Sequence, residues 1–186
     1  MAQHADAVMF YNVENLFDTI NNPATSDEDF LPLADREWNS EKYNAKLERI
    51  ASIIADLHDD HPTLIGLAEV ENRAVVEELA RQEAIASANY AICHYESPDE
   101  RGIDVALMYR PDRFQAEGSR AIRAAAEGQT RDILCVWGQM QGRSTYIIVV
   151  HLPSRIGGVR FTEPERRACA RQVREVVDSV MVASPK

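Results

Sequence analysis

The sequence has little that would staple or tether it. It contains three cysteines, Cys93, Cys135 and Cys169. They lie far apart, form no CxxC pair and leave one over if two were bridged, which excludes a zinc ribbon and a disulfide scaffold. Glycine and proline number 8 each, too few for a fibrous or low-complexity chain. No stretch approaches the roughly 18 uninterrupted apolar residues of a membrane-spanning helix. The opening MAQHADAVMF has no apolar run behind a basic segment and so carries no signal peptide. The compartment therefore stays open: cytoplasmic, or periplasmic or secreted if a leader was removed before Met1. Positive charge is also short, with 20 Lys plus Arg against 30 Asp plus Glu and a net charge of −10. General electrostatic attraction does not then drive nucleic-acid binding, and any such contact has to be local or metal-mediated.

What is present fits one folded domain spanning 1–186. Apolar residues make up 45% and charged residues 27% of 186, a balance that excludes disorder over most of the length and suits one core rather than two. Residues 7–13 (AVMFYNV) form a short apolar run suited to a buried strand, and a polar loop follows over 18–39. The acidic run SDEDF at 26–30 reads as a solvated part of that loop. Ser40 suits the N-cap of a helix whose Tyr43, Leu47, Ile50, Ile54 and Leu57 share one face at spacings of three and four. Residues 63–70 (TLIGLAEV) are apolar on both faces, as in a central strand, and Asn72 then caps a helix carrying Val75, Val76 and Leu79. Runs at 90–95, 103–109, 133–139 and 144–150, joined by turn signals such as SPDERG and QGR, predict antiparallel hairpins. A T-x-P-E capping box at Thr162, Pro164 and Glu165 opens a long helix with Ala168, Val173, Val176, Val177 and Val180 facing a core.

Polar residues close three of these strands: Asn12 ends AVMFYNV, Glu69 ends TLIGLAEV and His151 follows YIIVV. Side by side in one direction, the strands would bring an amide, a carboxylate and an imidazole to one rim of a sheet, where open sheets place ligands. A lone carboxylate with room for water and a phosphate suits magnesium, which keeps several waters and takes one or two protein carboxylates. Glu69 is the candidate ligand, with Glu71 as a decoy. Each residue also has a purely structural reading: Glu69 as a strand cap, Asn12 as a turn amide bonded to backbone, His151 as a satisfied core histidine. The loop HLPSRIGG favours an anion, because Ser154 offers a hydroxyl, Arg155 a guanidinium, and the glycines let backbone amides approach closely. Arg155 reads equally as a surface arginine. Asp104, an acid inside RGIDVALMYRP, needs a partner or solvent, and a bond to His151 from a neighbouring strand would supply one.

Taken in order, YNVENLFD, LIGLAEVEN, RGIDVALMYRP and VVHLPSRIGG resemble the motifs of the endonuclease/exonuclease/phosphatase family, from about residue 7 to the end. Within it the chain is most similar to bacterial members that open with NVENLFD and carry PSRxGG after the central histidine. The resemblance implies an α+β, DNase I-like sandwich of two facing mixed sheets with helices outside, four layers in all. It also implies metal-dependent hydrolysis of a phosphoester, in which Asn12 helps to hold the phosphate, Glu69 ligates Mg²⁺ or Mn²⁺, and His151 contacts the scissile phosphate. Asp104 lies near the position of the acid that orients that histidine, without clean register. The implied substrate is a phosphoester: a nucleic acid, a phospholipid head group or a nucleotide, with long duplex DNA disfavoured by the acidic balance.

The family pattern continues with GDxN and SDH motifs that do not occur in this sequence. The expectation is accordingly of a truncated domain holding about half the site and inactive in isolation. Such a chain would self-associate through an unfilled sheet face. The alternative is a non-catalytic remnant or binding domain with the same fold, and a soluble α/β domain without a phosphoester role is the third reading.

Overall fold

The computed structural model describes residues 6–125, 130–156 and 158–183. Their principal elements, in chain order, are β1 (Val8–Leu16), α1 (Ser40–Leu57), β2 (Leu64–Val70), α2 (Arg73–Ala80), β3 (Ala91–His94), β4 (Asp104–Tyr109), β5 (Phe114–Ile122), β6 (Ile133–Met140), β7 (Arg143–Val149) and α3 (Val159–Ala183). Two sheets form, one in the order β1-β2-β4-β3 and the other β5-β6-β7. β1 and β2 run parallel, joined by a crossover through α1, and the remaining neighbours are antiparallel. This is the mixed α+β, two-sheet arrangement that the motifs imply. No helix among the described residues is long and apolar enough to cross a membrane.

The layers follow from which side chains seek cover. α1 turns Tyr43, Leu47, Ile50 and Ile54 inward, and with Val75, Val76 and Leu79 of α2 they pack on Ile65, Leu67 and Met108 of the first sheet. Leu57, expected on the same face, is exposed where the helix ends. The N-cap is Asn39, whose side chain accepts from Lys42 N, so Ser40 is the first helical residue. The other face of that sheet buries Leu64, Ala68, Val105 and Leu107 against Phe114, Leu134, Val136 and Val149 of the second sheet. β2, covered on both sides, accounts for the continuous apolar run at 64–68.

Some expectations are revised. β5 (FQAEGSRAI) has no apolar run and buries only Phe114, its other residues being exposed or half-buried; β6 recruits it as an edge partner through backbone pairing. The acidic run at 26–30 is not simply solvated: Asp27 is buried and accepts from Asn22 N at 2.8 Å, and Phe30 stacks on Phe17 at 4.2 Å. α3 begins at Val159, before the expected cap, and Thr162 Oγ1 donates to the Gly158 carbonyl at 3.0 Å instead of capping. On α3, Val176 is buried and Ala168, Val173, Val177 and Val180 are half-buried. Gln172 ties the helix to the end of β5 by donating to Arg123 O at 2.6 Å and accepting from Ala125 N at 2.7 Å.

Candidate active site

The site begins with an irregularity in the parallel pair. β1 and β2 stay in register as far as Asn12 opposite Ala68, then resume at Leu16 opposite Val70. Three residues of β1 thus oppose Glu69 alone. The extra backbone is accommodated by positive φ angles at Glu14 (54°), Asn15 (61°) and Glu69 (66°), a left-handed conformation that costs a residue with a Cβ on the order of 1 kcal/mol or more. A bulge re-aims side chains that strict alternation would send to opposite faces. Lys46 of α1 supports this bulge, its Nζ donating to the Glu14 and Asn15 carbonyls. Burial lowers the Lys46 pKa, opposed by the charges of Glu14 and Glu69.

The re-aimed side chains meet. Asn12 Nδ2 donates to Glu69 Oε1 at 3.1 Å, and Asn12 Oδ1 accepts from Glu14 N at 2.9 Å, which settles which end of the amide faces the carboxylate. His151 Nε2 lies 3.5 Å from the same Oε1, and both side chains are partly open to solvent, 20% and 15% exposed. His151 arrives differently from the expectation. β7 belongs to the second sheet, so the three residues do not line the rim of one sheet; Asn12 and Glu69 come from one sheet and His151 from the other. Burial lowers the His151 pKa, and the Arg131 guanidinium lowers it further against the pull of Glu69. Both influences favour the neutral imidazole.

The turn that carries His151 is held by a buried ion pair that no local pattern announces. Arg131 Nη1 donates to Asp99 Oδ2 at 2.9 Å, with both side chains enclosed. Its Nη2 donates to the carbonyls of Leu152 at 3.0 Å and His151 at 3.4 Å. Asp99 also accepts from Arg101 N at 3.1 Å, which anchors the loop between β3 and β4.

Asp104 corrects an expectation. Its carboxylate partners His94, Oδ2 lying 3.2 Å from His94 Nε2, and accepts from Ser97 N at 3.0 Å on Oδ1. It does not form the expected bond to His151, whose Nδ1 is buried without a hydrogen-bond partner among the described residues. The cause is position: Asp104 opens β4 in the first sheet, opposite Val70, where β3 supplies the nearer imidazole. Ser154 and Arg155 are exposed in the loop after His151. The Ser154 hydroxyl accepts from Ile156 N at 3.1 Å, and Arg155 contributes its carbonyl to Gly158 N at 3.1 Å. One of the two loop glycines, Gly157, lies outside the described residues. Glu71 turns inward, accepting from Asp18 N at 2.6 Å, and burial pushes its pKa up to about 7.

The model of the Endonuclease/Exonuclease/phosphatase family matches residues 7–186. The chain belongs to this family. No protein of curated function matches it by sequence. Among solved structures, the fold is similar to a humanized TDP2 of D. rerio, at 17% identity and a TM-score of 0.61, over 90% of this chain and 57% of that one. It is likewise similar to the mannosyl-6-phosphatase Bt3783 of Bacteroides thetaiotaomicron, at 17% identity and a TM-score of 0.61, over 95% of this chain and 60% of that one. D. rerio TDP2 complexed with a single-strand DNA product matches at 20% identity with a TM-score of 0.58, over 96% of this chain and 56% of that one. These likenesses show the DNase I-like fold of the family. The chain spans somewhat over half the length of these solved relatives.

Proposed function

We propose that the chain forms part of a divalent-metal-dependent phosphoester hydrolase, with Glu69 as protein ligand to Mg²⁺ or Mn²⁺ and with Asn12 and His151 facing the phosphate. The observation that carries this reading is the convergence of Asn12, Glu69 and His151 from two sheets onto a bulge held in left-handed backbone. Such backbone persists only where the surroundings over-determine it, and those places cluster at functional sites.

The donor set fits the ion. Both contacts of Glu69 fall on Oε1, so Oε2 is the oxygen that would meet a cation, and a single carboxylate at a partly open rim suits an ion that keeps most of its waters. When bound, the ion would supply Lewis-acid polarisation of a phosphoryl oxygen. The neutral His151 ring has one N–H to donate to phosphate, and the Asn12 amide, pinned through its oxygen, offers its NH₂ to an anion beside Glu69. Ser154 and Arg155 stand on the adjoining exposed loop as phosphate-binding groups. One structural relative is complexed with a single-strand DNA product and another is a mannosyl-6-phosphatase, which supports a phosphoester substrate without choosing its leaving group.

Calorimetric addition of Mn²⁺ tests the metal assignment: Glu69→Gln is expected to weaken binding at least about tenfold, and unchanged binding would overturn it. Hydrolysis of bis(p-nitrophenyl) phosphate tests the chemistry. Residues 1–186 alone are expected to turn over poorly, since an amide, one carboxylate and one imidazole leave no group to orient water. A version extended through GDxN and SDH motifs should be active and should lose roughly 100-fold or more on His151→Ala.

Self-association is a further part of this proposal. Ile156 and Phe161, 87% and 86% exposed, are joined by exposed Leu152 and Val159 on the loop after His151 and the first turn of α3, and such apolar surface seeks cover. Light scattering at high concentration should show oligomers, and a clean monomer would count against it.

A further inference from the structure

We infer that His94, Glu96 and Asp104 form a second cation site, for a divalent transition-metal ion of the zinc type, separate from the Glu69 carboxylate. One donor atom from each of the three residues lies within 4.8 Å of the others. The decisive observation is the way the two buried members face each other. His94 Nε2 and Asp104 Oδ2 are 3.2 Å apart, with side chains 2% and 3% exposed. Yet Nε2 has no hydrogen-bond partner among the described residues, so the close approach lacks hydrogen-bond alignment. A desolvated ring nitrogen that meets a carboxylate without an aligned hydrogen bond is costly. Two donors on one tetrahedral zinc, with bonds of about 2.0–2.1 Å, lie about 3.4 Å apart, and an ion between Nε2 and Oδ2 reconciles the contact with the missing alignment.

The remaining features agree. Asp104 is already oriented, because Oδ1 accepts from Ser97 N at 3.0 Å and leaves Oδ2 for the ion. Glu96 sits at the open side with its side chain 67% exposed, 3.8 Å from His94 Nδ1, and is free to swing onto an ion at the other nitrogen. An imidazole donor sets the ion class. Magnesium takes oxygen ligands, whereas zinc accepts nitrogen and carboxylate together, so the two sites sort different ions. Occupancy would clamp the 95–103 loop, which carries Ser97 and the Asp99 that pairs with Arg131 beneath His151.

Zinc titration of the whole chain in excess Mg²⁺, against a chromophoric chelator, tests the site. The parent is expected to bind one zinc that magnesium does not displace, and Co²⁺ in its place should give a visible absorption band. Glu96→Gln, on an exposed side chain that folding does not need, should weaken zinc at least about tenfold, as should His94→Gln, checked for folding by circular dichroism. Glu69→Gln should leave zinc affinity unchanged, which separates this site from the proposed phosphoester site. Absence of zinc binding to the parent, zinc affinity untouched by Glu96→Gln, or zinc binding lost in Glu69→Gln would each overturn the assignment.

Discussion

Replacing Arg131 with alanine is expected to lower the free energy of unfolding by about 3–5 kcal/mol, because it strands the buried Asp99 carboxylate without a counter-charge. The effect reaches further than the pair. Arg131 also donates to the carbonyls of His151 and Leu152, so its loss frees the turn that carries the candidate imidazole. Arg131→Lys should recover only part of the loss, since an ammonium cannot bridge Asp99 and two carbonyls with a planar fork. Replacing Arg131 and Asp99 together by apolar residues of similar volume should restore most of the stability, because a buried pair is worth far less than the damage of halving it. It should not restore the His151 turn, which then lacks its donor. Urea unfolding checks the first effect and the imidazole NMR shifts of His151 the second. A loss below about 1 kcal/mol for Arg131→Ala, the value of an ordinary surface pair, would show that the ion pair is solvated.

The second large effect is pH-dependent. Burial, the largest influence, holds the Glu71 carboxyl at about 7 against an ordinary value of 4.5, with Asp18 N–H bonding pulling down and the charges of Asp18, Asp27 and Glu96 pushing up. The folded state therefore keeps a proton that the unfolded chain releases earlier. This contribution to stability is fully present below pH 4.5 and is lost as pH rises to about 7, a change on the order of 3 kcal/mol. Glu71→Gln keeps an acceptor for Asp18 N–H without the charge, so it should flatten the decline and exceed the parent in stability at pH 8. Unfolding free energies from pH 4 to 8, measured in chelator so that no cation at Glu69 contributes, check this. Equal slopes in parent and variant would place the Glu71 carboxylate in water.

Much of this molecule was legible in one dimension. The faces of α1 and α2 and the doubly covered strand β2 announce themselves by periodicity, because which face an element buries is settled by neighbours three or four residues away, or two in a strand. The four motifs likewise marked Asn12, Glu69 and His151, since the residue that closes an apolar strand is a local property. β5 stayed hidden because its pairing with β6 uses backbone groups that every residue carries. Two long-range partnerships were equally invisible: Arg131 with Asp99 across 32 residues, and Asp104 with His94 in place of His151. The sequence by itself determined α1, α2, the doubly covered strand β2 and the polar residues that end the apolar strands. Only the tertiary structure decided that β7 joins the second sheet, that a bulge turns Glu69 toward Asn12, and that a buried arginine carries the His151 turn. Those outcomes depend on how whole sheets stack and where loops return the chain, and such energies are summed over contacts between segments distant in sequence.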